Sequence, residues 1–126
     1  MTTAIPGLSE PATILDELGA FVYTKDRAGR YVYANASVQQ LFGSPLEGIT
    51  GRDDSAFFDL ERSNDLRRND EQVMASGQEV AKREVDIVAE TGERRVFWTI
   101  KRAVRDAEGD VAGMCGISIP IADDGS

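Results

Sequence analysis

The stretch AFVYTKDRAGRYVYAN, residues 20–35, contains two strand-like segments around a short turn. Its two halves, Ala20 to Thr24 and Arg30 to Ala34, are rich in aromatic and β-branched residues, which favour strands. The segment between them is KDRAG, and it ends in Gly29, a residue suited to a left-handed turn position. This pattern predicts a β-hairpin.

Short helices are predicted after the hairpin. Asn35 is placed to cap a helix that ends at Gly43. Asp53 and Asp54 are predicted to cap a further short segment by accepting backbone N–H groups, rather than to bind a metal. A longer helical window covers residues 61–76, and its polar face, which includes Asn69, is expected to meet water.

Three strands are predicted after the helices, over residues 79–89, 94–105 and 110–121. Both faces of the last strand carry apolar or small residues, so we expect it to be covered on both sides. This element order predicts an α+β fold, a five-stranded antiparallel sheet with short helices over one face. Ligand sites favour the space that such an arrangement leaves between helices and sheet.

The composition argues against several kinds of function. The 126 residues include 14 Lys and Arg against 22 Asp and Glu, which gives a net charge of −8, and no histidine. We expect no nucleic-acid partner and no direct membrane contact, since both need clustered cations. Without histidine, His-ligated haem and Ser-His-Asp catalysis are excluded. A single cysteine and a start without signal-peptide features predict a cytoplasmic location.

Several short segments are informative through their order and spacing. They are Val22–Asp26 with Gly29–Asn35, Leu41–Gly43, Gly51–Asp54, Asn69–Asp70 with Val73–Gly77, Trp98 with Lys101, Arg105-Asp106, and Gly109 through Gly113 to Gly116–Ser118. Together they resemble a PAS domain, the sensor module of bacterial signalling proteins, over residues 18–121. The resemblance implies the PAS fold with an N-terminal lead and capping helix over residues 1–18, the PAS domain over 19–121 and a disordered tail over 122–126.

The segments are most similar to PAS domains that precede diguanylate cyclase (GGDEF) or histidine kinase modules. The resemblance therefore implies a sensory and dimerisation module that binds a small ligand or partner, has no catalysis of its own, and regulates an output domain. We expect a homodimer whose interface includes Ile14, Leu15 and Leu18 of the capping helix. The alternative is a ligand-free scaffold for protein–protein interaction, and only the number of carboxylates supports an enzyme.

The candidate ligand-binding residues lie on the hairpin, the helical connector and the last three strands. They are Tyr23, Tyr33, Asn35, Phe58, Met74, Trp98, Lys101 and Cys115. Each also has a purely structural interpretation: for Lys101, it is a pair with Glu84 or with a neighbour across the hairpin. Because side chains alternate along a strand, Trp98 and Lys101 should face opposite sides of the sheet.

The sequence leaves the cofactor unknown. Cys115 is interpreted as a buried, inert thiol among small apolar residues. In family members that bond a flavin covalently, the cysteine lies in the helical connector, whereas residues 51–67 contain none. No flavin-cysteinyl site is therefore expected, while non-covalent flavin stays open.

Overall fold

A five-stranded antiparallel sheet organises the chain, in the strand order β2-β1-β5-β4-β3. The computed structural model describes residues 7–126, so the first six positions of the predicted lead lie outside the described residues. The strands are β1 (Phe21–Asp26), β2 (Tyr31–Ala34), β3 (Val80–Ile87), β4 (Arg94–Arg105) and β5 (Val111–Pro120). The helices are α1 (Pro11–Glu17), α2 (Ala36–Phe42) and α3 (Asn64–Ser76), with two 3₁₀ turns at Leu46–Gly48 and Asp54–Ala56. The predicted α+β architecture is confirmed.

The last strand, β5, joins the two halves of the sheet by lying between β1 and β4. In this register Gly116 is opposite Tyr23 on one side and Lys101 on the other. A Cβ added at residue 116 would lie 2.4 Å from Cε2 of Tyr23. The glycine therefore lets the tyrosine ring lie directly over β5, on the face that the helices cover.

One face of the sheet carries the core. Buried residues from the hairpin, from α2 and α3 and from the connector pack there, among them Tyr31, Val38, Phe57, Leu66 and Met114. On the opposite face the side chains of Trp98 and Ile119 are each 44% exposed. The prediction that β5 is covered on both faces is wrong for the single chain, because α2 and α3 both pack on the inner face.

The first helix, α1, packs near β1 at the outer side of the hairpin. Leu15 lies beside Val22 and Tyr33, whereas Ile14 and Leu18 are exposed. Their predicted role in a dimer interface stays a prediction. At the other end of the chain, residues 122–126 form neither helix nor strand, and Asp123 accepts a hydrogen bond from Nε of Arg94 at 3.0 Å. The domain boundaries and the disorder of this tail also stay predictions.

Asn35 connects three elements through its buried side chain. Its Oδ1 accepts hydrogen bonds from the backbone N–H of Val22 (3.0 Å) and of Val38 (3.4 Å). Its Nδ2 donates to Ala20 O at 2.8 Å and to Asp16 Oδ1 at 3.0 Å. Gly43 ends α2 in the left-handed conformation. The predicted cap is confirmed, and the same side chain also ties α1 to β1.

We expect Asn35→Ala to destabilise the domain by about 2–4 kcal/mol, because it removes a helix cap and leaves buried backbone groups without partners. Urea denaturation measures the change. Gln40→Ala, an amide removed from the exposed side of the same helix, is the control and should change stability by less than about 0.5 kcal/mol. Equal losses in the two variants would contradict the anchoring role.

Candidate functional site

An internal cavity lies between the inner face of the sheet and the helices that cover it. The space open to the centre of a water molecule is about 30 Å³, enough for roughly two waters. Aromatic rings and a set of ionisable groups line it together: Phe21, Tyr23, Lys25, Tyr31, Val38, Leu41, Phe42, Phe58, Leu66, Glu84, Asp86, Phe97, Lys101 and Ser118.

Two buried lysines are joined by one carboxylate at the edge of this cavity. Nζ of Lys25 donates to Asp70 Oδ2 at 2.5 Å, and Nζ of Lys101 donates to Asp70 Oδ1 at 2.7 Å. Lys25 also bonds Asp54 Oδ2 at 2.6 Å, and Lys101 also bonds Glu84 Oε1 at 2.8 Å. We call these five residues the ionic network; it connects β1, the second 3₁₀ turn, α3, β3 and β4.

Neutral groups complete the hydrogen bonding of the ionic network. The hydroxyl of Tyr31 donates to Asp54 Oδ1 at 2.5 Å, and Nδ2 of Asn69 donates to Glu84 Oε1 at 2.9 Å. Beside the network, the Tyr23 hydroxyl lies 2.9 Å from Ser118 Oγ. Both lysines are thus held by short bonds from several elements, and buried charges require this kind of compensation.

The mutual attraction within the network outweighs the cost of burial for most of its members. Burial disfavours the charged form of Lys25, but the carboxylates of Asp54 and Asp70 raise its pKa above the ordinary value. Burial likewise opposes ionisation of Asp70, but the two lysines lower its pKa. For Glu84 the opposing cause is again burial, and Lys101 together with hydrogen bonds lowers the pKa.

Two carboxyl groups behave in the opposite way. Burial raises the pKa of Asp54 in spite of the Lys25 contact. The pKa of Asp86 stands well above its usual range, first because of burial and then because of the charge of Glu84 and a hydrogen bond to it. No donor from the described residues reaches Oδ1 of Asp86. Asp86 is therefore the one acid of this cluster that lacks a cation.

The structure brings three of the eight candidate ligand residues to the cavity, namely Tyr23, Phe58 and Lys101. Lys101 also bonds Glu84, one of the partners that its structural interpretation allowed. The prediction that Trp98 and Lys101 face opposite sides of the sheet is confirmed, since Lys101 lines the cavity and Trp98 lies on the outer face.

The remaining candidates lie elsewhere. Tyr33 and Cys115 are on the outer face, opposite Thr24 in the sheet register, and Cys115 is only half-buried. Asn35 is the structural anchor described above. Met74 borders a separate open groove between the β1–β2 turn and α3, where Asp54 and Asp70 are also reached from outside.

Sequence reasoning missed most of the ionic network. Asp53 does cap the 3₁₀ turn, through the N–H of Ser55, but the cap prediction is wrong for Asp54, whose carboxylate turns inward to Lys25. Asn69 was expected to meet water, and it is 1% exposed. The available signal was the alternation along β1 and β3, which puts Lys25 on the face of Tyr23 and puts Glu84 and Asp86 on one face.

The residues present do not fit a flavin. A space for about two waters is far below the roughly 300–1,000 Å³ of sites for larger ligands, and Cys115 lies on the other side of the sheet. Within residues 7–126, no group of three or more His, Cys, Asp or Glu side chains is placed to hold a metal ion. The arrangement suits a small organic molecule that meets charged groups and aromatic rings.

Replacing Lys101 by Met should destabilise the domain by about 3–5 kcal/mol, because Asp70 and Glu84 then lose a buried cation. The measurement is the free energy of unfolding in urea. Lys82→Met changes an exposed lysine on the neighbouring strand, and its expected effect is within about 0.5 kcal/mol. If both variants stayed as stable as the wild type, the ionic network would make no measurable contribution to the free energy of unfolding.

The elevated pKa of Asp86 predicts a pH-dependent stability difference. As pH rises above the ordinary pKa of aspartate, Asp86 loses its carboxyl proton in the unfolded chain but still keeps it in the folded chain. The free energy of unfolding of the wild type therefore falls until the pH passes the pKa of Asp86 in the folded chain. Asp86→Asn removes the loss, since its amide can donate to Glu84 as the protonated acid does. The variant should gain about 1.4 kcal/mol for each unit of pKa elevation.

Urea denaturation of wild type and Asp86→Asn across the acidic and neutral range tests this expectation. The exposed Asp110→Asn variant serves as the control and should follow the wild type. An Asp86→Asn variant that is less stable than the wild type at neutral pH would show that Asp86 is ionised in the folded domain.

Comparison with protein families gives a match over most of the chain: the model of the PAS fold covers residues 15–124. A diguanylate cyclase of Vibrio cholerae is 32% identical over 111 residues, which is 87% of this chain and 35% of the relative. A methanogenesis regulatory histidine kinase, FilI, of Methanothrix harundinacea is 32% identical over 111 residues, 88% of this chain and 12% of the relative. The chain thus spans about a third and about an eighth of these curated relatives.

Solved structures show the same fold at lower identity. VqmA bound to DPO superposes with a TM-score of 0.71 at 21% identity, over 89% of this chain and 57% of that one. VqmA of Vibrio cholerae has also been solved as a complex with ligand and DNA, with a TM-score of 0.67 over 80% of this chain and 45% of that one at 21% identity. At this identity the likeness concerns the fold alone.

These structures correct the prediction that excluded a nucleic-acid partner. VqmA is described as a LuxR-type receptor with target DNA, and the present chain matches only about half of that protein. The exclusion was wrong because net charge was taken over this domain alone, and the charge of one domain carries no information about the rest of a longer protein. DNA binding by the present chain is not shown.

Within the described residues, no helix is long and apolar enough to cross a bilayer.

Three independent findings agree on the family. The sheet order and the helical cover over its inner face match the expected architecture. The family match extends from residue 15 to residue 124, and two curated relatives are each 32% identical to the chain over 111 residues. The chain is a regulatory module of signal transduction and is not itself catalytic, and it belongs to the PAS domain family.

Proposed function

We propose that this PAS domain binds a small molecule in its internal cavity and thereby regulates a diguanylate cyclase domain of its parent protein. The relative from Vibrio cholerae supports this choice of output, and the histidine kinase relative supports a kinase as the second candidate. Any catalysis then lies in the output domain. The proposal places the module in the cytoplasm, where a single unpaired cysteine suits the reducing conditions.

The observation that carries the proposal is that the ionic network borders the cavity. Lys25, Glu84 and Lys101 line it directly, and each bonds a group on another element. A ligand that forms hydrogen bonds with these groups competes with bonds that hold α3 and the 3₁₀ turn on the sheet. Ligand binding would therefore favour one packing of helices on sheet over another.

A path from this packing change to the N-terminal helix runs through β1. Lys25 is on β1, and the same strand is bonded at Val22 to the side chain of Asn35. Asn35 in turn donates to Asp16 of α1. A shift of β1 would alter the position of α1, which gives the module a mechanical link to a neighbouring domain.

The ligand-free scaffold remains the alternative function, and one observation favours it. The cavity as described holds only about two waters, so a larger ligand requires the aromatic rings around Phe42 to move apart. If they do not move, the core is closed and the exposed outer face around Trp98 would be the functional surface.

Three measurements on the freshly purified domain distinguish these functions. They are native mass spectrometry, an absorption scan and a thermal screen of small metabolites. We expect a reproducible added mass, or a compound whose saturating concentration raises Tm by about 5–10 °C. Leu41→Phe, which fills the cavity wall, should abolish either effect. Val32→Phe makes a similar change on an exposed strand position and should leave it intact.

The sensor function is wrong, and the scaffold function replaces it, if the wild type shows no added mass and no compound-induced rise in Tm that Leu41→Phe lacks. A ligand that binds all three proteins equally would lie outside the cavity and would also overturn the proposed site.

A further inference from the structure

A pair of neighbouring acids forms part of the cavity wall. Glu84 and Asp86 are two residues apart on β3, so their side chains lie on the same face, and the two residues are only 2% and 3% exposed. Lys101 bonds Glu84 at 2.8 Å. Asp86 has no such partner, and its Oδ1 accepts no hydrogen bond from the residues that the structure describes.

The charged groups on the surrounding strands and on α3 leave Asp86 without a counter-ion. On β4, Arg95 is its cross-strand neighbour. The Arg95 Nε forms an ion pair with Glu93 Oε1 at 3.1 Å, and neither this nitrogen nor Asp86 Oδ1 has a hydrogen-bond partner among the described residues. Lys101, also on β4, is bonded to Asp70 and Glu84.

From β1, Lys25 bonds Asp54 and Asp70, and the Tyr23 hydroxyl faces Ser118. On α3, Asp70 is bonded to both lysines, and Asn69 donates to Glu84. Both lysines are thus bonded to other carboxylates, Arg95 is ion-paired with Glu93, and none of the three forms an ion pair with Asp86.

The buried cluster therefore has more acids than bases. Four carboxyl groups, those of Asp54, Asp70, Glu84 and Asp86, face two ammonium groups, so full ionisation would leave a net charge of −2. A proton held by Asp86 would reduce this surplus, and burial together with the charge of Glu84 raises the pKa of Asp86 in that direction. A second way to reduce it is a cationic ligand in place of that proton.

The aromatic lining favours the same kind of ligand. The faces of aromatic rings attract cations, and the rings of this cavity already do so: Nζ of Lys25 lies 4.9 Å from the ring centroid of Tyr31 and 5.5 Å from that of Tyr23. Phe42 and Phe58 add further ring surface to the wall. Carboxylates combined with aromatic rings match an organic ammonium group.

We infer, building on the proposed ligand-sensing function, that the cavity selects a small protonated amine, whose N–H groups donate to Asp86 and Glu84 and take the place of a proton on Asp86. The proton leaves to solvent, so binding exchanges one monocation for another. The bound ammonium would sit within reach of Lys101 and would alter its bonds to Glu84 and Asp70. The ligand would thereby act directly on the ionic network.

The test uses three probes of nearly equal size and different charge: methylammonium, methanol and formate. Each is added at the same concentration to ¹⁵N-labelled domain at fixed ionic strength, and backbone amide shifts are recorded. We expect methylammonium to shift the amides of Glu84 and Asp86 in a saturable way, with weaker or no effect from the other two. Calorimetry in buffers of different ionisation enthalpy should show proton release on methylammonium binding.

Asp86→Asn is the matched variant. Losing one charged hydrogen-bond acceptor should weaken methylammonium binding about tenfold or more and should abolish the proton release. Because this variant is expected to be more stable than the wild type, the loss could not be attributed to unfolding. Asp110→Asn, on the surface, should bind as the wild type does. For the wild type, affinity should rise from acidic to mildly alkaline pH.

Preferential binding of methanol or formate would overturn the cationic class, while the small-molecule function would stand. Failure of all three probes to shift the cavity amides would also overturn it, and the sensor function would then rest on the separate mass and thermal measurements. Methylammonium binding that releases no proton, or that Asp86→Asn leaves unchanged, would place the ammonium away from the acid pair.

Discussion

The contact on which this structure depends most is the bridge that Asp70 forms between Lys25 and Lys101. It joins a helix to two strands that are not neighbours, since β5 lies between β1 and β4. An aspartate is too short to reach two ammonium groups unless α3 lies close against the sheet at that point. The bridge therefore fixes where α3 sits and, through it, the shape of the space beneath α2.

Buried charges of this kind are an expensive way to hold a fold. Taking ions out of water costs several kcal/mol each, and an apolar core of equal volume is often as stable. What the charges supply is a defined geometry. An ammonium group bonds its carboxylates only in a few arrangements, whereas Leu and Phe side chains can pack in many. A domain whose helices must adopt one defined position, and a second one when a ligand binds, benefits from such selective contacts.

Local sequence determined the frame of this domain, and distant contacts determined its site. The hairpin of β1 and β2, the Asn35 cap and the last three strands follow from alternation and turn residues close to one another in the chain, and all were predictable. The inward turn of Asp54 was not. An aspartate beside a 3₁₀ turn normally caps it, and here the donors that compensate its burial come from Lys25, 29 residues away, and Tyr31, 23 residues away.

The same reasoning explains why overall charge was a poor guide to the chemistry inside. The net charge of −8 is mostly a property of the surface, whereas the cavity responds to a local imbalance of four carboxyls and two ammonium groups that no whole-chain sum reveals. Each lysine is already bonded to two other carboxylates, and Oδ1 of Asp86 has no hydrogen-bond partner among the described residues. The fold itself thus keeps one acid without a cation, and the cavity beside that acid is where a ligand can alter the balance.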